Sequence, residues 1–397
     1  MRRSALPVAA SMLALTACTA ETPAEPGPEP VIELVTDGLQ FPGDLHDLGD
    51  GRLLLSDQIG FIYVIADGQL QPGSFLDLYD AVRGPLEGPE LGLSGFAPHP
   101  DFAENGRFFV YYTAPADEDA ERATRTGVLS EFALAADGAS LDRGSERVLL
   151  RHHGIDDHIG GHMAFDADGM LLLGLGAPTG SQQAQDPFDL HGKVIRIDVD
   201  GAEPYGIPAD NPFADGAEGA PEVYTMGHRN PWRVHFDPEV GLLIPEPMFT
   251  DKYSEVNLAA PGANFGYPND TAGEPFCYED GATEPLEPCA DPFTAPVVEY
   301  SWETGTICAG AVVYRGEALP QFQGKVIAAD WDGALIAAEV ASDGRWEHEA
   351  IPVEFPATAP LQGQLWSIDV DAAGEVYLMT SPLGGGGQGK LYRLTAA

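Results

Sequence analysis

One pattern restricts this chain more than any other. A glycine, often preceded by aspartate, opens one short run of branched and aromatic residues after another. Asp50-Gly51 precedes Arg52-Leu53-Leu54-Leu55, and Gly60 precedes Phe61-Ile62-Tyr63-Val64-Ile65. Asp168-Gly169 precedes Met170-Leu171-Leu172-Leu173, and Gly192 precedes Lys193-Val194-Ile195-Arg196-Ile197. Gly324, Asp332-Gly333, Gly374 and Gly389 open further runs of the same kind. Such turns between short apolar strands are hairpin signals, and no long stretch carries a helical period.

The repetition predicts an all-β fold, a six-bladed β-propeller of four-stranded antiparallel blades. A sandwich needs fewer turn-flanked strand pairs, and a β-helix has a shorter period. The expected organisation is residues 1–17 as a signal peptide, 18–32 as a flexible tether and 33–397 as one propeller domain. The last strand, Lys390 to Leu394, is expected to close the ring beside the first blade. Gly 47 and Pro 34, together about a fifth of the chain, suit a turn-rich all-β fold.

The N-terminus carries Arg2 and Arg3, then an apolar stretch from Ala5 to Leu15 that is too short to span a bilayer. Leu15-Thr16-Ala17-Cys18 follows and resembles a bacterial lipoprotein box. Cys18 is therefore the expected lipidation site, and the protein is expected to be exported and membrane-anchored at a periplasmic or cell-surface face. Thr19 to Pro30 is rich in Pro, Glu, Thr and Ala, as a tether would be. The net charge of −42 is spread along the whole chain; it repels phosphate backbones and excludes nucleic acid as a partner. Export makes a disulfide plausible, and Cys277 and Cys289 flank one acidic, proline-containing loop. Pairing them leaves Cys308 free and buried, although the odd count leaves other pairings open.

Four stretches interrupt the strand pattern. They are Glu90-Leu91-Gly92-Leu93-Ser94-Gly95-Phe96, Asp157-His158-Ile159-Gly160-Gly161-His162, Gly227-His228-Arg229-Asn230-Pro231-Trp232 and Gly262-Ala263-Asn264-Phe265-Gly266-Tyr267. In this order, with Gly192-Lys193-Val194-Ile195-Arg196-Ile197-Asp198 and Val313-Tyr314-Arg315-Gly316, they resemble the soluble glucose/sorbosone (aldose sugar) dehydrogenases that use pyrroloquinoline quinone (PQQ). The resemblance runs from about Leu39 to the C-terminus.

The resemblance implies oxidation of an aldose to a lactone by hydride transfer to the quinone. His158 matches the family's general base, a role that suits an imidazole neutral near pH 7. Arg229 and Asn230 match the residues that touch the quinone, and a planar guanidinium can fork to an anionic ring and stabilise its reduced form. Arg315 matches a basic position at the quinone carboxylates. Glu90 and Asp157 are the expected substrate contacts. The family's calcium loop corresponds to Ile244 to Asp251, so Pro247 and Met248 would offer backbone carbonyls to Ca2+. The electron acceptor beyond the quinone is not specified.

The chain also departs from that family. Where the family has Gly-Asp after the strand following the histidine, this chain has Gly176-Ala177. The calcium loop lacks its glycine, and Trp366 stands in the stretch where the last blade carries an arginine. Trp366 can stack on a flat ring but cannot neutralise a tricarboxylate. Two other functions fit the same residues: a non-catalytic propeller that binds carbohydrate or protein, and a calcium-dependent propeller lactonase or hydrolase. The hydrolase would use Glu90, Asp157, Asn230 and Asn264 around a metal.

Overall fold

Each glycine-opened run forms a strand, and the strands gather in groups of four. The computed structural model describes residues 27–84, 88, 90–115, 125–155, 158–249, 253–268, 276–277, 287–288, 293–301, 307–342, 345–382 and 387–397. Six antiparallel sheets follow one another along the chain, and the first carries an additional short strand, Leu76–Asp77. The first strands of the blades are Pro42–Asp47, Leu93–Pro98, Gly160–Phe165, His235–Asp237, Cys308–Val313 and Gln364–Val370. These strands contact those of neighbouring blades and surround a common axis, as in a six-bladed β-propeller.

The ring closes inside the sixth blade. Pro30–Leu39 pairs antiparallel with Gly389–Ala396, placing Leu34 opposite Tyr392. The expectation that the last strand lies beside the first blade is therefore corrected: the last strand is third in blade six, and the N-terminal strand covers its outer edge. An uncovered edge would leave a row of unpaired N–H and C=O groups, and the borrowed strand satisfies them.

The inner strands are buried along their whole length, as Leu93–Pro98 and Cys308–Val313 show. Their residues do not alternate in and out because a neighbouring blade covers each face. Between blades two and three, Phe109, Tyr111 and Leu129 pack on Leu171, Leu173 and Ile195. Burying each such side chain contributes about 1.5–3 kcal/mol. The chain passes closely at the start of blade three. Gly160 and Gly161 have φ of 62° and 107°, and a Cβ on Gly161 would lie 2.4 Å from the Ser94 side chain. Only glycine fits both the conformation and the space. No helix among the described residues is long and apolar enough to cross a membrane.

Candidate functional site

One mouth of the axis collects the residues that open the inner strands. Glu90 precedes the first strand of blade two, and His158 that of blade three. Arg229, Asn230 and Trp232 lie on the link into blade four. Cys308 opens blade five, and Trp366 stands in the first strand of blade six. These residues line one pocket with Pro247, Ile307 and Trp331. His158 and Arg229 therefore face a common space.

His158 is buried, and its Nδ1 lies 2.7 Å from the Ala177 carbonyl oxygen. A carbonyl only accepts, so Nδ1 carries the proton and Nε2 keeps the lone pair. Ala177 sits where the resembled family has its aspartate. Here the backbone at that position orients the imidazole. Asn230 ties three blades together. Its Oδ1 accepts from the Gly160 N–H at 3.0 Å, and its Nδ2 donates to Glu90 Oε2 at 3.0 Å. Glu90 Oε2 also accepts from the Ile159 N–H at 3.2 Å. Glu90 thus braces the backbone beside His158.

Glu246 is the functional residue that sequence reasoning missed. The stretch read as a calcium loop is the second strand of blade four, Gly241–Phe249. Glu246 is 0% exposed, and its Oε2 accepts from the Arg229 and Asn230 N–H groups at 2.9 and 3.1 Å. Its Oε1 accepts from His228 Nδ1 at 2.6 Å and Asn257 Nδ2 at 3.3 Å. A buried carboxylate is tolerated only with such a full set of donors. A glutamate between two prolines, opposite a His-Arg-Asn run, was the available signal. The Arg229 guanidinium donates from Nη1 to the Pro247 carbonyl at 3.4 Å, while its buried Nε has no partner. Trp366 Nε1 is likewise buried without a partner, and its ring stacks on Trp331 with centroids 5.3 Å apart.

Arg315 does not reach this pocket. Its guanidinium is forked on Asp237 at 2.9 and 2.6 Å and also meets Glu239 at 2.8 Å. It lies beyond Val313, at the opposite end of the strand that Cys308 opens, and a six-residue strand spans about 20 Å. Strand direction thus turns the expected carboxylate-binding arginine into a strand-end ion pair. Asp157, Cys18 and Cys289 lie outside the described residues, so the Cys277–Cys289 pairing does too; Cys277 stands in a short strand paired with Glu287–Pro288. Cys308 is free and buried, and burial pushes its thiol up to about 12. Iodoacetamide at pH 8 is expected to leave Cys308 unmodified in the native protein and to label it in urea, read by mass spectrometry. Labelling of the native thiol at the rate of free cysteine would show that solvent reaches it.

Below the pocket, a second polar cluster crosses the axis. Asp44, His162 and Asp369 place their oxygen and nitrogen atoms within 4.8 Å of one another, close enough for a metal. Arg233 already supplies the cation. It pairs with Asp369, lies 3.4 Å from Asp44 and donates to the Gly43 carbonyl at 2.9 Å. Burial pushes the Asp369 carboxyl up despite Arg233. For Asp44 burial acts in the same direction, but His162 and Arg233 outweigh it and hold the carboxyl below its usual range. The Leu45 and Phe96 N–H groups donate to the two carboxylates at 3.0 Å each.

Fold and site together define a six-bladed propeller with a buried imidazole, an arginine and three tryptophans at one axial mouth. The family described as glucose/sorbosone dehydrogenase matches residues 39–393, and the chain belongs to it. It is 26% identical over 373 residues to the aldose sugar dehydrogenase of Escherichia coli, covering 88% of this chain and 92% of that one. It is 25% identical over 385 residues to human Hedgehog-interacting protein, covering 91% of this chain but only 52% of that relative's length. The PQQ-bound aldose sugar dehydrogenase of Streptomyces coelicolor superposes with a TM-score of 0.68 at 22% identity, over 94% of this chain and all of that chain, a likeness of fold.

Proposed function

We propose that the protein is a PQQ-dependent aldose dehydrogenase whose active site is the pocket between His158, Arg229 and Trp366. The observation that carries this reading is the pair of buried donors without partners, Arg229 Nε and Trp366 Nε1, lining one aromatic-walled pocket with His158. Donors left unpaired in a buried site cost about 1–3 kcal/mol each, and a flat anionic ligand bearing carbonyl and carboxylate oxygens would satisfy them. The set therefore fits the quinone, which when bound supplies the two-electron acceptor. Arg229 and Trp366 would hold it, with Trp232 forming a further wall. Calcium fits less well: an ion at the Pro247 and Met248 carbonyls would have to displace the Arg229 guanidinium from the Pro247 oxygen.

His158 Nε2 takes the proton of the sugar's anomeric hydroxyl as the aldose is oxidised to its lactone. The Ala177 carbonyl keeps Nδ1 protonated, so the lone pair stays on the nitrogen that acts. Glu90 and Asn230 hold the Ile159 and Gly160 backbone, fixing where the imidazole points. Glu246 holds the backbone of Arg229 and Asn230 and so acts as a positioning residue. Export and anchoring through a lipidated Cys18 belong to the same proposal and place the sugar substrate outside the cytoplasm.

A second reading, a binding propeller without catalysis, is favoured by one observation. With Arg315 forked on Asp237, a tricarboxylate would meet a single arginine at the pocket among the described residues. Calorimetry of the purified protein with PQQ, with and without calcium, separates the two. The dehydrogenase reading expects micromolar or tighter quinone binding and dye-linked oxidation of aldoses once quinone is added. Absence of quinone binding would overturn it in favour of the binding propeller.

A further inference from the structure

Away from the axis, two buried histidines lie in near contact, and three of their four ring nitrogens have no partner. His152 belongs to the outer strand of blade two, and His191 ends the loop that leads into Lys193–Ile197 of blade three. They are 5% and 8% exposed, and their ring centroids are 4.3 Å apart. Neither nitrogen of His152 has a partner, and neither does His191 Nε2. Burying an imidazole N–H without an acceptor is costly, and three such atoms in one place are not explained by packing.

The other nitrogen of His191 is held as a metal ligand's would be. Its Nδ1 donates to Asp189 Oδ1 at 2.6 Å, and the same oxygen accepts from the His191 N–H at 2.9 Å. Gln183 Nε2 donates to Asp189 Oδ2 at 2.8 Å and so fixes the carboxylate. A carboxylate behind the far nitrogen sets the tautomer and leaves the near nitrogen as a lone pair. Gly154, with φ of 84°, leaves space beside that nitrogen: even a Cβ there would stand 3.6 Å from it. Lys193 adds positive charge nearby, but its ammonium is saturated by the Gln183, Ala184 and His191 carbonyls at 3.0, 2.9 and 2.8 Å.

We infer that His152 and His191 form a site for a divalent transition-metal ion that clamps blade two to the loop of blade three. Imidazole nitrogens suit borderline ions rather than calcium or magnesium. A metal about 2.0–2.1 Å from each nitrogen, with centroids this close, subtends nearly a right angle, as in the tetragonal sites of Cu2+ and Ni2+. Water would complete the coordination. The clamped loop begins at Gly176 and Ala177, so the ion would stiffen the segment whose carbonyl orients His158.

The test uses Cu2+ and the full chain without added quinone, so it stands or falls independently of the dehydrogenase reading. Titration calorimetry is expected to show one equivalent bound with micromolar or tighter affinity. His152→Gln and His191→Gln should each weaken binding about 10–100-fold. His348→Gln, at an exposed strand position, should leave it unchanged. Electron paramagnetic resonance of the wild type should report two imidazole nitrogens on the copper, a readout that does not depend on the variants folding. Equal affinity in all three variants, or a copper signal lacking two imidazoles, would overturn the inference.

Discussion

Replacing His158 with alanine is expected to lower aldose turnover by about 10²–10⁴-fold while leaving quinone affinity unchanged. The reason lies in how the imidazole is held. Its Nδ1 bonds to the Ala177 carbonyl and its ring lines the pocket, so the substitution removes the imidazole while Arg229 and Trp366 stay in place. Losing that hydrogen bond should cost about 0.5–1.5 kcal/mol of stability, too little to unfold a domain of this size. Single-turnover reduction of the loaded protein by an aldose, compared with quinone binding by calorimetry, separates the two effects. An unimpaired rate would remove His158 from its role as base. A loss of quinone binding equal to the loss of rate would reassign it to holding the cofactor.

The largest effect on stability is expected at the axis. Arg233→Met should destabilise the protein by about 3–5 kcal/mol at pH 7, because it leaves two buried carboxylates without their cation. The pH dependence follows from the same geometry. In the wild type the Asp369 carboxyl is already pushed up by burial, so its contribution is fully present at low pH and falls as pH rises through its folded value. Asp44 is held low, so its contribution is present above the usual carboxylate range and is lost as pH falls below it. Without Arg233 both carboxyls shift upward. The deficit of the variant should therefore be largest near neutrality and shrink towards pH 4, where protonation replaces the missing cation. Urea unfolding of wild type and variant at pH 7 and pH 4 measures this directly. Adding Asp369→Asn to Arg233→Met should recover part of the loss at pH 7, and a deficit independent of pH would show that the cluster's charge is not what holds the axis.

Much of this molecule was legible before any coordinates. The propeller followed from Gly and Asp-Gly turns recurring between short apolar runs, since each hairpin is a local event. That His158, Arg229, Asn230, Glu90 and Trp366 belong to one site was an expectation of the family resemblance, and the structure lines one pocket with all five. Arg315 was misplaced because motif order does not say which end of a strand a residue occupies. Glu246 was overlooked because three of its four partners lie on the preceding link, 16 to 18 positions away, and only strand register brings them together. The charge cluster at the axis was invisible for the same reason: the Leu45 N–H bonds to a carboxylate 324 residues distant.

By itself the chain determined everything that depends on neighbours in sequence: where it turns, which runs become strands, how many blades can form, and which residues break the pattern. Only the tertiary structure decided which edge the N-terminal strand covers, that a backbone carbonyl orients His158, and that Arg233 neutralises the axis. The physical reason is closure. A ring brings the starts of six distant strands to one axis, and contacts across that axis depend on strand direction and register, which no local stretch of sequence encodes.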